Sequence, residues 1–119
     1  MEINVKLVGD ATLIELIGDL DMYNAPVLKE RVQRIIREGA AGVVIDAGRV
    51  EYVDSSGIGA LIIAFTASQK SGIPLRIAGV HGTVMKVIEL TRLQGILPLT
   101  ATVEASLALL MLKKKAVTV

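Results

Sequence analysis

Asp54-Ser55-Ser56-Gly57 sets one carboxylate beside two hydroxyls and a glycine. A strand-like stretch precedes it and an apolar helical stretch, Ile58 to Phe65, follows it. That order puts both serines at a helix N-terminus, on a loop that water and a partner can reach. A helix N-terminus offers free N–H groups and a positive dipole end, so it tolerates an added phosphate. The chemistry these residues suit is modification of a hydroxyl, a switch rather than turnover. The plainer role for Ser55 is to cap the helix, and capping and phosphorylation are compatible. Ser56 is the alternative acceptor, and its plainer role is local bonding in the first turn.

Other chemistries find less support. Ser55, His81 and an aspartate could formally make a hydrolase triad, but the chain has no Gly-x-Ser-x-Gly elbow. His81 reads as a loop residue. Asp19 and Asp21 have too few oxygen ligands around them for a metal site. Gly57-Ile58-Gly59 lacks the third glycine of a dinucleotide loop, and no Gly-Lys-Ser/Thr occurs. The expectation is a binding protein and not an enzyme, with no catalytic residue, metal or cofactor.

The elements that must hold these residues can be read along the chain. Ile3, Val5 and Leu7 alternate with polar residues and predict a first strand. Gly9-Asp10 is a turn signal, and Ala11 to Ile17 predicts its hairpin partner. Asn24 is placed to cap a helix with Pro26 in its first turn, and Val27, Leu28, Arg31, Val32, Ile35 and Ile36 recur at helical spacing. Val43-Val44-Ile45 is a short apolar run of the kind buried on both faces.

The helix opening near Ser55 or Ser56 carries Ile58, Leu61, Ile62 and Phe65 on one stripe. Gly57, Ala60, Ala64 and Ala67 form a second, small-residue stripe that suits core packing or self-association equally. Leu75 to Ala78 predicts a buried strand after Pro74. Thr83 is placed to cap a third helix, Ile96-Leu97 is at best a short strand, and Thr102 opens a last helix through Leu112. Lys113-Lys114-Lys115 would sit at that helix's negative end.

The order β-β-α-β-α-β-α-(β)-α implies an α/β fold, a mixed, mostly parallel sheet with about four helices. On such sheets, ligands and partners meet the loops at the carboxyl ends of the strands. The loops Asp19–Asn24, Asp54–Gly57 and Gly79–Thr83 could share that edge.

The bulk numbers agree. The 119 residues suit one domain, residues 1–112, with 113–119 as a loose C-terminal tail. The composition is 52% hydrophobic but 3% aromatic, so the core is aliphatic. A net charge of +1 gives no electrostatic case for nucleic acid. The absence of cysteine removes any disulfide or thiolate site and fits a cytoplasmic setting. The longest apolar run falls far short of the ~20 residues that span a bilayer.

Three segments then point to a family. Gly18-Asp19-Leu20-Asp21, Asn24-Ala25-Pro26-Val27-Leu28 and Val53-Asp54-Ser55-Ser56-Gly57-Ile58-Gly59 resemble the STAS domain, and more narrowly the bacterial anti-sigma-factor antagonists. The likeness runs from about Ile3 to Leu110 in motif and element order. It implies a phosphoprotein of partner switching in transcription regulation, in stress-response or sporulation signalling. In that family the unphosphorylated antagonist binds an anti-sigma factor that is also a serine kinase, which frees the sigma factor. The kinase phosphorylates the serine after the motif aspartate and so releases the antagonist. A metal-dependent serine phosphatase resets it.

Carried onto this chain, the resemblance makes Ser55 the acceptor and sets Asp21 and Asp54 as its flanking acids. The partner-binding set expected around it is Asp19, Asp21, Met22, Tyr23, Asn24, Asp54, Ser56, Gly57 and His81. Two rivals share the fold. One is a STAS scaffold in a multi-protein signalling complex, multimeric without any kinase. The other is a soluble STAS subunit of a lipid or anion transporter, working without modification of Ser55.

Overall fold

The computed structural model describes residues 1–118, with side chains through Met111. Strand β1 (Glu2–Val8) and strand β2 (Ala11–Ile17) form the expected antiparallel hairpin. Gly9 holds φ +61° at the first central position of the turn, the place where a type II′ hairpin turn requires glycine. Helix α1 (Ala25–Arg37) and strand β3 (Val43–Arg49) follow, then helix α2 (Ser55–Lys70) and strand β4 (Leu75–Ala78). Helix α3 (Gly82–Leu90), strand β5 (Leu99–Thr100) and helix α4 (Val103–Thr118) complete the chain. The five strands lie in the order β1-β2-β3-β4-β5, and every pair after the hairpin is parallel. The α/β class and the mixed, mostly parallel sheet are as expected.

Alternation along the central strands sorts the core into two layers. Ile14 and Leu16 of β2, Val43 and Ile45 of β3, and Ile77 of β4 meet Leu28 and Val32 of α1, Leu61 and Ala64 of α2, and Val84 and Ile88 of α3. Leu13, Val44 and Ala78 point to the other face and meet Leu110 of α4. The central strands are therefore covered on both sides, which is why Val43-Val44-Ile45 is apolar without a break. The small-residue stripe resolves to the core: Ala60 and Ala64 are buried in the larger layer, and α1 packs against α2.

Several details differ from the sequence expectations. Strand β3 runs to Arg49 because pairing with β2 resumes at Ile17 with Arg49, past a register shift, and carries it beyond its apolar run. The last strand is Leu99–Thr100, not Ile96-Leu97. The N–H groups of Ile96 and Leu97 both turn back to the Leu93 carbonyl, and pairing with β4 starts where the Pro98 carbonyl accepts the Ile77 N–H at 2.9 Å. In β1 only Ile3 packs on the core, while Val5 and Leu7 are exposed, because the strand lies at the sheet edge beyond the packed helices. Val27, expected on the apolar stripe of α1, is half exposed.

Thr102 does cap α4, its Oγ1 accepting the Ala105 N–H at 3.0 Å. Helical backbone reaches Thr118, past the Leu112 end expected from sequence. The expected tail at 113–119 and its lysine run lie outside the residues described with side chains.

Candidate functional site

Three loops meet at the carboxyl edge of the sheet: 18–24 after β2, 50–54 after β3 and 79–81 after β4. Backbone bonds stitch the first to the second. Gly18 N donates to Arg49 O at 3.2 Å and Leu20 N donates to Tyr52 O at 3.0 Å. Leu20 and Val53 form an isolated parallel bridge. The third loop closes on the end of β3. A Cβ on Gly79 would lie 3.1 Å from the Gly48 backbone, and His81 Nε2 sits 3.0 Å from Gly48 O. The common edge read from the sequence is thus real.

The loop after β2 is shaped by the Asp21 carboxylate and the Asn24 amide. Asp21 Oδ1 accepts the N–H groups of Tyr23 at 3.0 Å and Asn24 at 3.1 Å. An aspartate that bonds its own downstream backbone makes a compact turn without other support. Asn24 occupies the N-cap position of α1 but makes no side-chain cap bond; its Nδ2 donates instead to Asp19 O at 2.7 Å. The cap expected of Asn24 is thus replaced by loop closure. Thr83 likewise does not cap α3. Gly82 takes φ +58° and the helix starts two residues early, with His81 at the N-cap and no side-chain cap bond. The Asp19 side chain is exposed.

The N-terminus of α2 is capped by Asp54, not by either serine. Asp54 Oδ1 accepts the Gly57 N–H at 2.9 Å, and Oδ2 accepts the Met22 N–H at 3.0 Å. One carboxylate therefore caps the helix and clamps the neighbouring loop. Its charge also suits the positive helix end. Ser55, one residue on, is the first residue of the helix. Ser55 and Ser56 are exposed, and among the described residues neither hydroxyl has a hydrogen-bond partner. Capping as the role of Ser55 is overturned: the aspartate has two acceptor oxygens and can serve helix and loop together.

Gly57 fixes how close the helix start approaches the first loop. A Cβ there would collide with the Leu20 carbonyl oxygen and lie 2.6 Å from Val53 Cγ2. Gly57 is buried, so its part in the site is to bring α2 against the β2 loop. The two loops stitched together here and the first turn of α1 carry exposed apolar groups. Met22 is 60% exposed and Tyr23 79%. Tyr52 and Val27 are each about half exposed and were not among the expected site residues. Tyr52 had a signal, an aromatic beside Glu51 in the loop leading to Asp54; Val27 had none, since its helical spacing matches the core residues.

The imidazole of His81 is engaged with Gly48, and both Asp54 oxygens are engaged with backbone N–H groups. Among the described residues, no group of three or more His, Asp or Glu side chains is arranged to hold a metal ion. Nor is any helix there long and apolar enough to cross a membrane.

Comparison with known proteins adds to this geometry. The family profile described as the STAS domain matches residues 2–106. The anti-sigma-B factor antagonist of Bacillus subtilis is 27% identical over 104 residues, covering 87% of this chain and 94% of that protein. An anti-sigma factor antagonist from Mycobacterium paratuberculosis superposes with a TM-score of 0.83 at 22% identity, over 92% of this chain and 93% of that one. The Bacillus cell fate determinant SpoIIAA in its phosphorylated form superposes with a TM-score of 0.70 at 20% identity, over 90% of this chain and 97% of that one. At these identities the two structures establish a shared fold.

Proposed function

The chain belongs to the STAS domain family, and on that premise we propose that it is an anti-sigma-factor antagonist switched by phosphorylation of Ser55. The observation that carries the proposal is the state of that hydroxyl. It is exposed and unpartnered at the first residue of α2, beside a carboxylate already committed to two backbone bonds. A hydroxyl held this way is a substrate for another protein's catalytic group. The curated relative named as an anti-sigma-B factor antagonist, matched over nearly its whole length, supplies the biological direction.

In the unmodified state, the exposed Met22, Tyr23 and Tyr52 beside Ser55 form a docking surface for an anti-sigma factor with serine kinase activity. Asp19, Asp21, Asn24, Ser56 and His81 frame that surface from the same sheet edge, and its occupation frees the sigma factor. Phosphate adds roughly −1.5 to −2 charges and strong acceptor oxygens. The helix N-terminus offsets part of the local repulsion, by ~0.3–1 kcal/mol at an exposed end. Set beside Asp54 and Asp21, the new charge mismatches the docked surface and costs desolvation at the interface. No unfolding is needed, because Ser55 supports none of the loop bonds. A serine phosphatase removes the group and restores binding. The protein acts in the cytoplasm, where sigma factors act.

The test uses the full chain with serine or phosphoserine at position 55, immobilised and exposed to lysate of the cells it comes from. The unmodified chain is expected to retain an anti-sigma factor identifiable by mass spectrometry, and the phosphorylated chain to lose it. Equal capture by both would contradict the switch. Capture of membrane transport proteins in its place would favour the transporter role.

A further inference from the structure

The two edges of the sheet are managed differently. At one end β5 is two residues long, a short edge with little to offer another strand. At the other end β1 is seven residues long, contains no proline and, among the described residues, pairs only with β2. Beyond Ile3 its apolar side chains are left exposed: Leu7 is 76% exposed and Val5 41%. A long open edge with exposed apolar side chains is a template for another strand.

The direction of its backbone groups is fixed. Thr12 N donates to Gly42 O, so Thr12, Ile14 and Leu16 turn their backbone groups toward β3. The alternate residues Ala11, Leu13, Glu15 and Ile17 then face β1 and pair with Val8, Lys6, Asn4 and Glu2. Ile3, Val5 and Leu7 are consequently the residues whose N–H and C=O groups point out from the free edge.

The sequence of this edge is self-complementary about Asn4. Reading outward from it, Ile3 matches Val5, Glu2 matches Lys6, and Met1 matches Leu7. We propose that β1 pairs antiparallel with the β1 of a second copy of this chain, on a two-fold axis through Asn4. In that register Glu2 stands opposite the partner's Lys6 and Asn4 opposite the partner's Asn4. Ile3 stands opposite the partner's Val5, apolar against apolar. Opposite charges placed directly across two strands attract, and like charges repel. The parity agrees as well: Ile3 and Val5, whose backbone groups face outward, become the hydrogen-bonded pair, while Asn4 meets its mate in a non-hydrogen-bonded pair. The interface is isologous and closes after two copies, joining two five-stranded sheets into one. Lys6 already lies 3.4 Å from Glu15 of β2, so the partner's Glu2 would extend an existing ion pair. β1 carries no residue of the serine loop, so the dimer would keep two accessible Ser55 sites.

The chain has no cysteine, so one introduced thiol reports one contact. The full-length Asn4→Cys protein is oxidised mildly beside Lys6→Cys, and crosslinked dimer is followed by intact mass. Across a non-hydrogen-bonded pair the Cα atoms are about 4.5 Å apart, within disulfide range. Asn4→Cys is expected to crosslink at least tenfold faster than Lys6→Cys, whose mate is Glu2. Equal rates would overturn the register. Sedimentation supplies the second arm. Glu2→Lys and Lys6→Glu are each expected to sediment as monomers where the unaltered chain is a dimer, and their equimolar mixture to recover the dimer. A monomeric unaltered chain, or a mixture of folded variants that stays monomeric, would reject the proposal. Circular dichroism of each variant shows that it is folded.

Discussion

Asp54 Oδ2 accepts the Met22 backbone N–H at 3.0 Å, across 32 positions of sequence. The other oxygen of the same carboxylate holds Gly57 N at the start of α2. The helix that presents Ser55 and the loop that presents Met22 and Tyr23 are therefore locked together by one side chain. Any partner that reads both surfaces reads a geometry set by Asp54.

Asp54→Ala is accordingly expected to cost stability and binding together. Loss of an N-cap costs about 0.5–2 kcal/mol, and the freed Met22 N–H adds to it. Urea denaturation should show a loss of about 1–3 kcal/mol. Asp54→Asn keeps one acceptor oxygen in place of two and should fall between the alanine variant and the unaltered chain. An alanine variant as stable as the unaltered chain would show that the clamp contributes nothing.

Gly57→Ala carries two opposed effects. Alanine favours a helix interior over glycine by ~1 kcal/mol. Here the added methyl meets a carbonyl oxygen of Leu20 and Val53 Cγ2. Backbone cannot yield as a flexible side chain can, so the clash should win, with a net loss of about 1–3 kcal/mol as for overpacked cores. Thermal melting checks the sign, which is the informative part.

Much of this architecture was legible in the residues, for identifiable reasons. The hairpin is bounded by Gly9-Asp10 and β4 by Pro74, both local turn signals, and their strands fall where expected. The sequence leaves the cap of α2 open, because three adjacent polar residues, Asp54, Ser55 and Ser56, could each serve. The choice went to Asp54 through Met22, a contact remote in sequence. The position of β5 depends on pairing with Ile77 and Ala78, again a tertiary matter. The exposure of Val5, Leu7 and Val27 has the same character: periodicity finds a face, but not whether anything covers it.

The aromatic groups at the site separate binding from folding. Tyr23 and Tyr52 are exposed and outside the core layers. Tyr23→Ala and Tyr52→Ala should each change stability by no more than about 0.5 kcal/mol. Each should weaken binding to the anti-sigma factor by about 1–2 kcal/mol or more, the range of aromatic anchors at interfaces. Calorimetric titration measures this directly; unaltered affinity in both variants would place the docking surface elsewhere.

Ser55→Ala should leave the fold intact, since no bond of the loops passes through that hydroxyl. It should bind the anti-sigma factor and fail to be released when ATP is supplied to the complex. Release with ATP at the rate of the unaltered chain would move the acceptor to another residue, with Ser56 first to be tested.

Peptide mapping by mass spectrometry of the protein isolated from its own cells, across residues 53–65, tests the central claim most directly. One phosphate on Ser55, rising and falling with growth or stress conditions, is the expected result. A segment unmodified under every condition, or a phosphate confined to Ser56, would contradict it.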